Sequence, residues 1–169
     1  MRYFFIVFLL GLPALTTGEP LTPRPLDPIA AQTFANAMSR SAAVRSLVTI
    51  LERSNVIVHI ESSQRMPEGI AGTTRFVTAR AGFRYVRITI FSELPATERT
   101  AILGHELQHA CEIADSGAAD VESLRRIFLR DGTRRGSFFE TDGAIAVERI
   151  VRLELMGRLG TASRYNGSR

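Results

Sequence analysis

The chain contains no lysine: all 21 of its basic residues are arginine. Such uniformity points to biased codon usage rather than to a nucleic-acid groove. The arginines are scattered, with doublets only at Arg125-Arg126 and Arg134-Arg135, and no basic patch is interleaved with aromatics. Nucleic acid is therefore not an expected partner. Cysteine is nearly absent. Cys111 alone cannot close an internal disulfide, so no disulfide framework holds the fold. Histidine is scarce, with three in 169 residues. No apolar run reaches the roughly 20 residues that a membrane-spanning helix needs. There is no internal repeat and no sign of a second domain. What is present is ordinary for a globular protein: 45% hydrophobic and 22% charged residues, with a net charge of +4. The length suffices for one domain with a proper core.

Residues 1–18 read as a signal peptide. Arg2 gives the positive start, residues 3–10 are an unbroken apolar run, and Thr16-Thr17-Gly18 is a tolerable cleavage site. Export to a secreted or periplasmic location follows, with no membrane span after cleavage. Residues 19–26, with prolines at 20, 23 and 25, read as an extended tether. A single domain is expected over residues 27–159, and a flexible tail over 160–169.

Within that domain Asp27-Pro28 is a helix start, with Asp27 as cap and Pro28 in the first turn. Helix is expected to about residue 53, with a break at residues 39–41. The β-branched run at residues 56–60 reads as a buried strand containing His59. A lone histidine there is more simply a packed residue than a ligand. Residues 69–80 and 83–91 read as a hairpin turning at Ala81-Gly82. In its second arm Val86, Ile88 and Ile90 face one side, and Tyr85, Arg87 and Thr89 the other. The expected class is α+β, with a small antiparallel sheet packed by one face on helices. Pro95 opens a helix over residues 96–114, and Asp115, Ser116 and Gly117 stop it. A helix over residues 120–130, a loop over 134–137 and a long helix over 138–159 complete the reading.

The informative stretch is Gly104-His105-Glu106-Leu107-Gln108-His109-Ala110. A helix turns about 100° per residue, which puts His105 and His109 about 40° apart on one face. Two neutral imidazoles so placed can reach one zinc ion at about 2.0–2.1 Å. Glu106 sits where it can take a proton from a water on the metal. The pattern is that of the His-Glu-x-x-His metalloprotease helix. Leu103, Leu107, Ala110 and Ala114 give the same helix an apolar stripe, so it packs inside the domain. Gly104 costs about 1 kcal/mol relative to Ala in mid-helix and suggests a close approach by another backbone. Cys111 falls about 200° round the helix from His109 and reads as a small core residue.

A catalytic zinc takes three protein ligands and a water. No histidine follows position 109, so the third ligand is a downstream carboxylate (Glu112, Asp115, Asp120, Glu122, Asp131, Glu140, Asp142 or Glu148) or His59 reaching across from the sheet. Glu112 lies too close on the same helix to swing back, and Asp115, Asp120 and Asp131 look like turn and cap residues. Glu140, just after Phe138-Phe139 at the start of the last helix, is the first choice. Glu122 is the second, and Asp142 is the natural carboxylate to accept a hydrogen bond from a metal-bound histidine.

These residues resemble a compact gluzincin, the group of zinc metallopeptidases with a His-Glu-x-x-His helix and a glutamate on a later helix. The likeness covers roughly residues 83–155, and Glu140 follows His109 by 31 residues. The group commonly has an aspartate four residues after its ligand glutamate. Here position 144 is alanine and the aspartate is Asp142. The resemblance implies a zincin-like fold in which a hairpin edge strand, here residues 83–91, lies over the active-site helix. It also implies zinc on His105, His109 and Glu140, with Glu106 as general base. The expected function is exported, zinc-dependent hydrolysis of a peptide or protein substrate. Tyr85, His59 and Arg87 are available to stabilise the oxyanion. The alternative from another class is a non-catalytic exported binding protein that keeps the same fold. A third reading makes residues 19–53 a pro-segment over the cleft.

Overall fold

The computed structural model describes residues 23–131, 133–135 and 138–157. Residues 1–18, expected to be a signal peptide, residues 19–22 of the expected tether and the expected tail over 160–169 fall outside them. The elements in chain order are β1 (Arg24–Pro25), α1 (Pro28–Arg40), α2 (Ala42–Glu52), β2 (Val56–Ser63), β3 (Gly72–Arg80), β4 (Phe83–Phe91), α3 (Ala96–Ser116), α4 (Val121–Asp131), β5 (Thr133–Arg135), β6 (Phe138–Glu140) and α5 (Asp142–Leu155). The class is α+β, as the sequence implies.

Capping chemistry cuts the first helical stretch where serine allows it. Ser41 ends α1 and caps α2, accepting from the Val44 amide at 3.1 Å. Asp27 caps α1 and also ties it to the sheet. Its carboxylate accepts from the Ala30 amide at 2.9 Å and from the Ser62 amide and hydroxyl, both at 2.7 Å. Burial pushes the Asp27 carboxyl up, but the hydrogen bonds from Ala30 and Ser62 outweigh it and hold the pKa below 3.8. Asp27→Ala is expected to cost about 2–3 kcal/mol, combining a lost cap with lost bonds to a charged acceptor. Urea unfolding measures this, and a loss below about 0.5 kcal/mol, an ordinary surface value, would contradict it. Because the folded pKa is depressed, this stabilisation is complete above pH 3.8 and fades as pH falls below it.

The sheet is mixed, not antiparallel. Its order is β1-β2-β4-β3, with β1–β2 and β2–β4 parallel and only β3–β4 antiparallel. The hairpin forms as its turn dictates: Ala81 and Gly82 both take positive φ, the geometry of a two-residue hairpin loop. Its second arm then slides between β2 and β3. The outer strand beside the motif helix is therefore β3, and the arm over residues 83–91 is interior. Two tether residues, Arg24 and Pro25, form β1 against His59 and Ile60.

Alternation sets the two faces of the sheet. Val56, Val58 and Ile60 of β2, Phe76 of β3 and Val86, Ile88 and Ile90 of β4 are buried against α1, α2 and α3. Leu103, Leu107 and Ala110 of α3 are fully buried in the same core. Cys111 is buried there too, with its thiol 3.7 Å from the Leu47 carbonyl and its pKa pushed up to about 12 by burial. α5 packs along α3 at Gly104. A Cβ on Gly104 would lie 2.8 Å from Val151 Cγ2, so the glycine admits a neighbouring side chain rather than a backbone.

The last helix starts later than its apolar pattern suggests. Phe138–Glu140 is a strand, β6, paired antiparallel with β5, and Thr141 caps α5 by accepting from the Ala144 amide at 3.1 Å. Glu140 thus ends a hairpin instead of opening a helix. Among the described residues no helix is long and apolar enough to cross a membrane.

Candidate metal centre

α3 runs 21 residues and stops at Gly117, whose φ of 65° is the left-handed helix stop. One buried face presents His105, Glu106 and His109, at 6%, 5% and 7% exposure. The two rings lie edge to face, with centroids 4.9 Å apart. Glu140 joins them from the β6–α5 junction. One donor atom from each of His105, His109 and Glu140 falls within 4.8 Å of the others, a spacing that one metal ion can bridge. His105 Nε2 is 3.4 Å from Glu140 Oε1.

The other nitrogen of each ring faces a glutamate. His109 Nδ1 is 2.9 Å from Glu112 Oε2. His105 Nδ1 is 3.0 Å from Glu148 Oε2, an ionic contact off the hydrogen-bond axis, so this buried nitrogen has no hydrogen-bond partner. In both rings Nε2 is then the atom for a metal, since carboxylates occupy the Nδ1 side. Glu148 is itself held by Arg152, with Oε1 accepting from Nη2 at 2.7 Å, and Arg152 also pairs with Glu98 on α3. A polar chain therefore runs from His105 through Glu148 and Arg152 to Glu98, stitching α5 to α3.

Glu112 has a double role. Its Oε1 accepts from the Thr141 hydroxyl at 2.7 Å, while Oε2 meets His109. The side chain that orients His109 thus also anchors the residue next to Glu140. Gly143 makes this closeness possible, since a Cβ there would be 3.1 Å from Glu112 Oε1.

Glu106 is fixed from the sheet. The Thr74 hydroxyl of β3 donates to Glu106 Oε2 at 2.7 Å. Gly72, two residues earlier, leaves space for Oε1, because a Cβ there would come within 2.7 Å of it. Burial raises the Glu106 pKa; His109, Thr74 and His105 oppose the rise, and Glu140 adds to it. His105 shows the opposite balance. Burial lowers its pKa, but Glu148, Glu106 and Glu140 raise it above the ordinary imidazole value. For Glu112, burial pushes up and the contacts with His109 and Thr141 pull further down. Four carboxylates, Glu106, Glu112, Glu140 and Glu148, converge on two rings. Glu106 is buried and the other three are partly buried, with Arg152 the counter-charge to Glu148, so a divalent cation would offset the negative charge gathered round the rings. The donor set therefore fits a metal.

Several expected participants stand elsewhere. Asp142 is exposed in the first turn of α5, and the carboxylates at the Nδ1 atoms are Glu112 and Glu148. Glu122 is exposed in the first turn of α4 and is not in the cluster. His59, Tyr85 and Arg87 share the sheet face turned away from α3, because each alternates with buried residues that face it. None of the three is placed to meet an oxyanion at the cluster. Glu112 had a usable signal, its three-residue spacing from His109 on one helix face. Glu148 is one of the downstream carboxylates in the sequence, but no spacing rule places it behind His105; Thr74 and Gly72 carry no signal.

Compared with protein-family models, curated proteins and solved structures, the chain matches none.

Proposed function

We propose that the protein is an exported zinc metallopeptidase of zincin-like fold. The carrying observation is the convergence of His105, His109 and Glu140 within 4.8 Å, beside a buried glutamate on the same helix as the two rings. Two imidazoles and one carboxylate are the donor set of a catalytic zinc with an open fourth position. When bound, zinc supplies the Lewis acidity that polarises a peptide carbonyl and acidifies a water.

The protein's own groups do the rest. Glu106, with Oε2 held by Thr74, takes the proton from the attacking water at its other oxygen and passes it to the leaving amine. β3 is the outer strand of the sheet and touches Glu106 through Thr74, so an extended peptide added along its outer edge would run past the base. Besides the missing aspartate at position 144 and the interior place of β4, this departs from the gluzincin pattern at the third ligand: it comes from a strand end, and the glutamate on the following helix, Glu148, stands behind His105.

The test is metal content. The purified full-length chain is expected to hold about one zinc per molecule, and His105→Ala to lose most of it, because two ligands do not complete a site. Full zinc loading in His105→Ala would remove the site. Zinc without hydrolysis in the wild type would leave the alternative, a metal-stabilised exported binding protein.

A further inference from the structure

The face of the sheet turned away from α3 carries a row of cations. Arg24 of β1 pairs with His59 of β2, His59 with Arg87 of β4, and Arg87 with Arg75 of β3. One row therefore crosses all four strands, spanning about 14 Å at the usual 4.8 Å strand spacing. Arg24, Arg75 and Arg87 are exposed and His59 is half-buried. The shift at His59 is consistent with this closeness: burial lowers its pKa, and Arg24 and Arg87 lower it further. The bulge at Val77 brings Arg80 to the same face, opposite Phe83. Against these cations the next row offers Glu61, with its Oε2 3.7 Å from Arg87 Nε.

Like charges directly opposite each other on neighbouring strands destabilise a sheet. Arg75 facing Arg87 costs stability that nothing in the core requires. The partner that offsets it is anionic, and its shape follows from the surface. The row lies on an open sheet face, not in a groove, so it suits a flat partner. Half-buried Tyr85 lies on that face too, and tyrosine rings favour the headgroup level of a bilayer. The metal centre is on the α3 side of the sheet, so docking by the opposite face does not cover it.

We propose that the Arg24–His59–Arg87–Arg75 face docks the protein on an anionic lipid bilayer. The inference does not rest on the proposed peptidase activity. Sedimentation of the full chain with vesicles tests it, comparing phosphatidylcholine with mixed phosphatidylcholine and phosphatidylglycerol, at low and high salt. Preference for the anionic vesicles is expected at low salt and should collapse at high salt. Each arginine near an anionic surface contributes about 1 kcal/mol, or about five-fold. Arg24→Gln with Arg75→Gln should therefore weaken anionic-vesicle binding about 25-fold, while thermal stability holds or rises. Arg126→Gln with Arg149→Gln, of equal charge but on α4 and α5, should leave binding unchanged. The apolar run at residues 3–10 is common to all variants and can bind phosphatidylcholine as well, so the readout is the salt-sensitive excess on anionic vesicles. Wild-type binding by the sheet-face pair, or an equal loss in the helix pair, overturns the proposal. So does tighter binding of polyglutamate or a single-stranded oligonucleotide than of the vesicles.

Discussion

Glu106→Gln is expected to lower peptide hydrolysis by about 10²–10⁴-fold, the range a positioned general base contributes, while zinc content stays at the wild-type level. Glutamine keeps the shape and can still accept from the Thr74 hydroxyl, so the contact that fixes the side chain to β3 survives. What is lost is the basic oxygen. The site's other acids do not replace it. Glu112 is occupied by His109 and Thr141, Glu148 by His105 and Arg152, and Glu140 is the proposed ligand. Initial rates on an unstructured protein substrate, with zinc measured on the same samples, make the check. Undiminished hydrolysis would take the base role from Glu106. Lost zinc would mean that the substitution disturbed the ligands and not the proton transfer.

Glu148→Ala is expected to weaken zinc binding by about 10–100-fold, the usual cost of losing the group behind a metal-bound histidine. In the variant His105 Nδ1 loses the carboxylate 3.0 Å away, and Arg152 keeps only Glu98. Titration against a competing chelator reads the affinity directly. Glu148→Gln retains an acceptor oxygen and should recover part of the loss. A merely structural role would lower the melting temperature of both variants and leave the affinity unchanged, and that result would defeat the assignment. The zinc-free protein gives a second readout. The contact with His105, followed by Arg152, pulls the Glu148 pKa from 4.5 down to about 2. A depressed folded pKa means that stability is complete above pH 4.5 and is lost as pH falls towards 2. Glu148→Ala should flatten that part of the stability profile.

Features set by a few neighbouring residues are legible in the sequence. Asp27 and Ser41 cap because a short polar side chain reaches an amide three residues on. Ala81-Gly82 turns because those two residues accept positive φ. His105 and His109 share a face because a helix repeats every 3.6 residues or so. Glu140 was legible as a residue but not as an element. Its apolar lead-in, Phe138-Phe139, suits a helix start as well as a strand, and only pairing with Thr133–Arg135 selects the strand.

The helix, its pair of rings and the acid between them depend on spacing along one segment and so are legible there. Packing of distant segments put β4 inside the sheet and β3 at its edge. It turned Tyr85, His59 and Arg87 away from the centre and brought Glu112 and Glu148 behind the two imidazoles. Those outcomes depend on which strands pair and on how α5 seats against Gly104, and contacts between residues distant in the chain leave no periodic trace in it.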